Sequence, residues 1–218
     1  MGDQFGVPVW HYGDVSTRVR FIIVGFHHRI GDTAKAFQFP QPHFDELKYL
    51  IAADIAVQDS EVPSRYMLHG APNYENMSNW IEPSAGKAHQ IGSFGESVGH
   101  CHNPHILHSW MGLKATQLVS NGGSRRTLLS WKPRDKVYKT RLTVPVETVR
   151  AASVSETYIP WLKKFGDSDE FLQKCINNGV PMRTSCAIDE AVIQTLSRAG
   201  IKPDVPAMEA SCGRISAH

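Results

Sequence analysis

Nine residues hold the densest chemistry in the chain. His100-Cys101-His102-Asn103-Pro104-His105-Ile106-Leu107-His108 carries four imidazoles and one thiol. Nitrogen and sulfur donors of this kind suit Zn²⁺, which takes four of them in a tetrahedron. Structural zinc sites draw their ligands from two separated pairs, and here no second Cys or His pair lies at such a distance; His69 and His89 stand singly. A hydrolytic zinc also needs a general base beside it, and HExxH is absent. His100, Cys101, His102, His105 and His108 are thus the residues on which a small zinc-dependent hydrolase or nuclease would have to be built. The plainer reading makes them surface histidines, whose near-neutral titration would render a contact pH-sensitive. Cys101 between His100 and His102 would serve as a nucleophile only with a geometry that adjacency in sequence does not supply. No P-loop and no GxGxxG occurs.

The second cluster is basic. Arg125, Arg126, Lys132, Arg134, Lys136, Lys139 and Arg141 place seven positive charges in 17 residues, opposed by Asp135 alone and interleaved with Trp131 and Tyr138. A local patch of this density suits anionic lipid headgroups or a nucleocapsid; otherwise it is the solvated face of a hairpin. A third segment, Asn73 to Ile81, sets Tyr74, Met77, Trp80 and Ile81 in a loop-like context. Aromatic and Met side chains there are anchors for a partner or a cover over the core.

The elements that must position these groups follow from periodicity and punctuation. Residues 1–18 show no period and read as an N-terminal arm. Val19 to Phe26 is rich in β-branched and aromatic residues and predicts a buried strand. Pro40 and Pro42 lead into a helix on which Phe44, Leu47, Ile51 and Ile55 share a face. Residues 59–99 are rich in Gly, Pro, Ser and Asn. Beyond the turn signal Asn121-Gly122-Gly123, strands are expected over Thr127–Trp131 and Lys136–Val149, where Leu142, Val144 and Val146 alternate with polar positions and Pro145 marks an edge or bulge. A helix over about 157–177 breaks near Gly166-Asp167, with Ser168 or Asp169 capping its second half and Asn177-Asn178-Gly179 stopping it. A short helix over about 188–199 ends at Gly200, and 201–218 reads as a loose tail.

Composition narrows the class. The 218 residues carry 23 basic and 21 acidic side chains, net +2, so only local clustering speaks for a charged partner. The apolar share of 41% supports one core, and a single domain over 19–200 is expected. Cys101, Cys175, Cys186 and Cys212 form no CxxC and predict reduced thiols in a reducing compartment. No apolar run approaches the roughly 18 residues of a membrane span. Gly2 opens a myristoylation signal that Gly6 fails to complete, since Ser or Thr is wanted there.

Several segments fall in an order that resembles the matrix proteins of the vesiculovirus branch of the rhabdoviruses. They run from His43-Phe44-Asp45 through His100-Cys101-His102, Leu107-His108-Ser109-Trp110-Met111-Gly112, Arg125-Arg126, Tyr138-Lys139 and Leu142-Thr143. They continue with Trp161, Phe171-Leu172-Gln173-Lys174, Gly179 and Thr195-Leu196-Ser197. The similarity spans about residues 19–197. It implies an α+β fold, a twisted antiparallel sheet packed by two or three helices. It also implies a non-enzymatic role without cofactor: self-assembly beneath the envelope of the virion, binding of the viral nucleoprotein–RNA complex, attachment to the anionic inner face of the host membrane, and budding. By that analogy the basic residues 125–141 face lipid or nucleocapsid, and Tyr74, Met77, Trp80 and Ile81 serve self-association. Residues 1–17 depart from the family, having neither Lys nor PPxY. A viral capsid or RNA-binding protein is the other non-enzymatic reading, and it predicts strongly salt-dependent binding to naked RNA.

Overall fold

Short strands and late helices divide the chain. The computed structural model describes residues 6–42, 51–67, 73–74, 90–94, 105–109, 113, 119–120, 123–124, 128–131 and 139–201. In chain order the strands are β1 (Val7–Pro8), β2 (Val19–Arg20), β3 (Asn73–Tyr74), β4 (Gln90–Phe94), β5 (His105–Ser109), β6 (Val119–Ser120), β7 (Gly123–Ser124), β8 (Leu128–Trp131) and β9 (Lys139–Leu142). The helices are α1 (Ala52–Ile55), α2 (Pro145–Ala151), α3 (Tyr158–Leu162), α4 (Asp169–Asn178) and α5 (Met182–Arg198), with 3₁₀ turns at Val9–Tyr12 and His28–Ala36. The class is α+β, as the sequence leads one to expect. The main sheet runs β3-β4-β5-β8-β9 and is mixed rather than purely antiparallel, because β5 and β8 pair in parallel.

The first 18 residues are not an arm where they are described. Val7, Val9, Tyr12 and Val15 are buried, and Val15 packs with Ile55, Leu113 and Ala151. The segment lacks periodicity because it reaches the core through irregular backbone: a β1–β2 pair encloses a 3₁₀ turn that Gly13 ends at φ 89°. A second cluster joins Val62, Tyr66 and Val144, flanked by Val57, Met67, Leu142 and Val146.

Pro145 to Val149 is helix, not strand, and Val144 is its extended N-cap. Pro145 takes the first helical position, where its missing N–H is no loss and its φ is already helical. Glu147, at the third, reaches back to accept the Val144 N–H at 3.0 Å. Those two local signals override the alternation of Leu142, Val144 and Val146. α2 closes with Ser153 at φ 53°, and the Val154 N–H bonds back to the Val149 carbonyl. Gly200, at φ 72°, does the same for α5, where the Ile201 N–H reaches the Leu196 carbonyl.

Ser168 caps α4 as expected, its hydroxyl accepting the Phe171 N–H at 3.1 Å. α4 stops at Asn178 with an extended Gly179, and Pro181 opens α5 six residues earlier than the apolar spacing suggests. Of the helix expected after Pro42, residues 43–50 lie outside the described set, and Ala52–Ile55 is helical.

Candidate contact surfaces

Two buried polar nodes hold the scaffold. Arg141 and Glu147 are both fully buried and form a two-pronged pair, Nη2 to Oε1 at 2.5 Å and Nη1 to Oε2 at 2.9 Å. The carboxylate also accepts the backbone N–H groups of Val57 and Val144, each at 3.0 Å, while the guanidinium donates to the carbonyls of Leu142 and Val57. Burying two charges is tolerable only when such bonds replace their water. The node therefore locks β9, α2 and the chain after α1 into one geometry. It also removes Arg141 from the basic contact residues: a side chain with no exposed surface meets no headgroup or nucleocapsid.

Asp14 forms the second node. Its Oδ2 accepts the N–H and hydroxyl of Thr184 at 3.2 and 2.7 Å. Pro181 precedes α5 and has no side-chain oxygen, so Asp14 caps that helix from 170 residues away in sequence. Arg183 donates to the Gly13 carbonyl, and the Val15 and Met182 N–H groups bond to Ala151 and Ala152. Burial pushes the Asp14 carboxyl up to about 6, against the opposing pull of hydrogen bonds from Ser153 and Thr184 and of the nearby Arg183 charge. A third polar contact joins the Tyr66 hydroxyl and Arg65 to Asp169, bracing the start of α4.

Against this frame two apolar surfaces stand open. The run from Val19 is no buried strand. After β2 it has no regular secondary structure, and its exposure alternates: Phe21 is 64% and Ile23 81% exposed, whereas Ile22, Val24 and Phe26 are partly buried. Among the described residues, 21–26 make no backbone hydrogen bond. Arg20 anchors its start by donating to the Asn177 carbonyl at the end of α4, and the Phe26 ring lies 5.4 Å from that of Phe37, tilted against it. Composition suggested a buried strand because VRFIIVGF has strand residues on both faces, but no described element covers the outer one.

The other surface lies on α3 and the turn after it. Trp161 is 52% and Phe165 66% exposed, with rings 4.9 Å apart and edge-on. Trp161 and Phe165 are apolar positions of the helix expected over about 157–177. Their spacing was helical, but the half-buried side of this turn carries Ile159 and Leu162.

The predicted site residues fall mostly elsewhere. Arg125, Arg126, Lys132, Arg134 and Lys136 lie outside the described residues, as do Met77, Trp80, Ile81, His100, Cys101 and His102. The backbones of Tyr74, Lys139, and His105 with His108 belong to β3, β9 and β5. Among the described residues no three His, Cys, Asp or Glu side chains gather as a metal site. No helix among the described residues is long and apolar enough to cross a membrane. Cys186, on α5, is disulfide-bonded, which corrects the expectation of four reduced thiols; Cys175 is a free thiol.

Sequence reasoning also passed over Gly95-Glu96-Ser97-Val98-Gly99, which has the GxSxG spacing of a nucleophile elbow. An elbow is a strand turning sharply into a helix. Here β4 ends at Phe94 and its antiparallel neighbour β5 begins at His105. Residues 95–104, the GxSxG segment included, lie outside the described residues. No protein-family model and no curated protein matches this chain.

Proposed function

We propose that this chain is a structural assembly protein: a matrix-like protein of a negative-strand RNA virus that joins copies of itself, the nucleoprotein–RNA complex and the anionic inner face of a membrane, and transforms no substrate. The observation that carries the reading is the open edge after β2. A strand-forming segment with exposed Phe21 and Ile23 and no backbone partner among the described residues is a template for pairing.

The segment is also self-complementary. Antiparallel pairing of two copies about Ile22 sets Phe21 opposite Ile23 of the second copy and Val19 opposite Gly25, an aromatic against a β-branched residue across the strands. Such a contact buries on the order of 400 Å² per copy, below the size of a stable solution dimer. Weak contacts of this kind suit a lattice, where many of them add to tight attachment. The α+β fold and the order of segments from His43 to Ser197 agree with the same reading. The basic residues Arg125, Arg126, Lys132, Arg134, Lys136 and Lys139 are its membrane or nucleocapsid contacts, and Tyr74, Met77, Trp80 and Ile81 its further self-association residues. The protein would then work in the host cytoplasm, at the inner face of the host membrane, and beneath the virion envelope.

Electron microscopy of the purified protein with anionic vesicles tests the proposal. Ordered arrays are expected, and Ile23→Lys should abolish them. Charge reversal at Arg125, Arg126, Lys132 and Arg134 should weaken flotation with the vesicles. A protein that stays monomeric at high concentration and ignores both lipid and ribonucleoprotein would overturn the reading. Stoichiometric zinc, with an activity lost on chelation, would replace it by the hydrolase.

A further inference from the structure

The exposed aromatic stripe on α3 has the chemistry of a lipid interface. Tyr158 and Trp161 on α3 and Phe165 on the turn after it are spaced three and four residues apart, all three are exposed, and the rings of Trp161 and Phe165 lie 4.9 Å apart. Ile159 and Leu162 are half-buried and seat the turn from the other side. Gly166 fixes the base of the stripe: a Cβ there would stand 2.7 Å from the ring of Phe171. Any side chain there would have to displace that ring.

Charge completes the pattern. Lys163 and Lys164 are exposed and sit within the aromatic run. Of the neighbouring acids, Glu156 is held by Arg150 at 2.6 Å, and Asp169 is engaged by Arg65 and Tyr66. Among the described side chains, Asp167 is the exposed carboxylate that remains nearby. Large rings at headgroup depth with lysines on the phosphates are what an anionic bilayer surface selects.

We propose that Trp161 and Phe165 enter the headgroup region of an anionic membrane while Lys163 and Lys164 pair with its phosphates. This rests on the membrane half of the proposed function but places a contact on a different element from the basic segment 125–141. Two exposed lysines set among exposed rings favour an anionic bilayer over a protein partner.

Flotation of the full-length protein on phosphatidylserine-containing and on pure phosphatidylcholine vesicles tests the inference. Trp161→Ala with Phe165→Ala should lower partitioning to the anionic vesicles roughly 30-fold, since both rings leave the interface. Lys163→Gln with Lys164→Gln should lower it by about the same factor at low salt and much less at high salt. Trp161→Phe keeps a ring and should retain most of the binding. Circular dichroism confirms that each variant is folded, as expected for exposed positions.

If the double alanine variant floats like the wild type while charge reversal at 125–134 abolishes flotation, the α3 contact is wrong and the membrane reading stands. If the wild type binds neither vesicle, both fall together, while arrays formed without lipid would still support self-assembly. If the alanine pair disrupts self-association in the absence of lipid, the stripe is a protein interface and the inference is overturned.

Discussion

The Arg141–Glu147 pair and the Phe21–Ile23 edge invert the usual distribution of residues in opposite senses. One places two full charges where no solvent reaches them; the other leaves an isoleucine 81% exposed. The difference lies in what surrounds each. The pair is enclosed by four backbone groups that replace its water, so its burial is a matter of folding. The edge has no such company among the described residues, and its exposure is what the proposed self-association rests on. Polar burial thus marks the scaffold of this molecule, and apolar exposure marks its proposed contacts.

The comparison breaks most readily at the pair. Glu147→Ala leaves the Arg141 guanidinium buried without its counter-charge and frees the Val57 and Val144 N–H groups. A loss of about 3–5 kcal/mol is expected in urea unfolding. If the variant is as stable as the wild type, the node is not what holds β9 to α2.

Asp14 sharpens the same contrast with the sign reversed. Its carboxyl is raised to about 6, mainly by burial, so between roughly pH 4 and 6 the folded state holds a proton that the unfolded state has released. Stability therefore falls as pH rises through that window and is level above it. Asp14→Asn keeps an acceptor for Thr184 without the charge. It should stabilise the protein on the order of 2 kcal/mol at pH 7 and flatten the pH 4–6 slope in thermal melts. A variant less stable at pH 7, with the slope unchanged, would show that Asp14 is ionised at little cost.

Gly166→Ala comes next, at about 1 kcal/mol, because the new methyl group must displace the Phe171 ring. The smallest effect on stability belongs to the edge. Ile23→Lys should change the unfolding midpoint by less than about 0.5 kcal/mol while removing concentration-dependent association in sedimentation velocity. A large loss of stability there would mean that the edge belongs to the fold and not to an interface.

Some of this was legible in the sequence because the physics is local. The Ser168 cap, the stop at Gly200 and the strand Leu128–Trp131 each depend on a few neighbouring residues. Pro145 and Glu147 were legible too, but the alternation from Leu142 hid them; Pro at the first helical position with Glu at the third is the stronger signal. Val7, Val9, Tyr12 and Val15 were missed because an irregular backbone buries residues without a period. Arg141 was misread because seven basic residues in a row of 17 look alike until one of them finds a buried carboxylate six residues on.

Taken by itself, the sequence determined the helix caps and the clustering of charge, since these rest on residue type and short spacing, whereas the α+β class was an expectation from the resemblance over residues 19–197. The tertiary structure decided which arginine is buried, that Asp14 caps a helix 170 residues away, and that Phe21, Ile23, Trp161 and Phe165 face solvent. Exposure and desolvation depend on what packs against a side chain from distant parts of the chain, and no local pattern of residues records that.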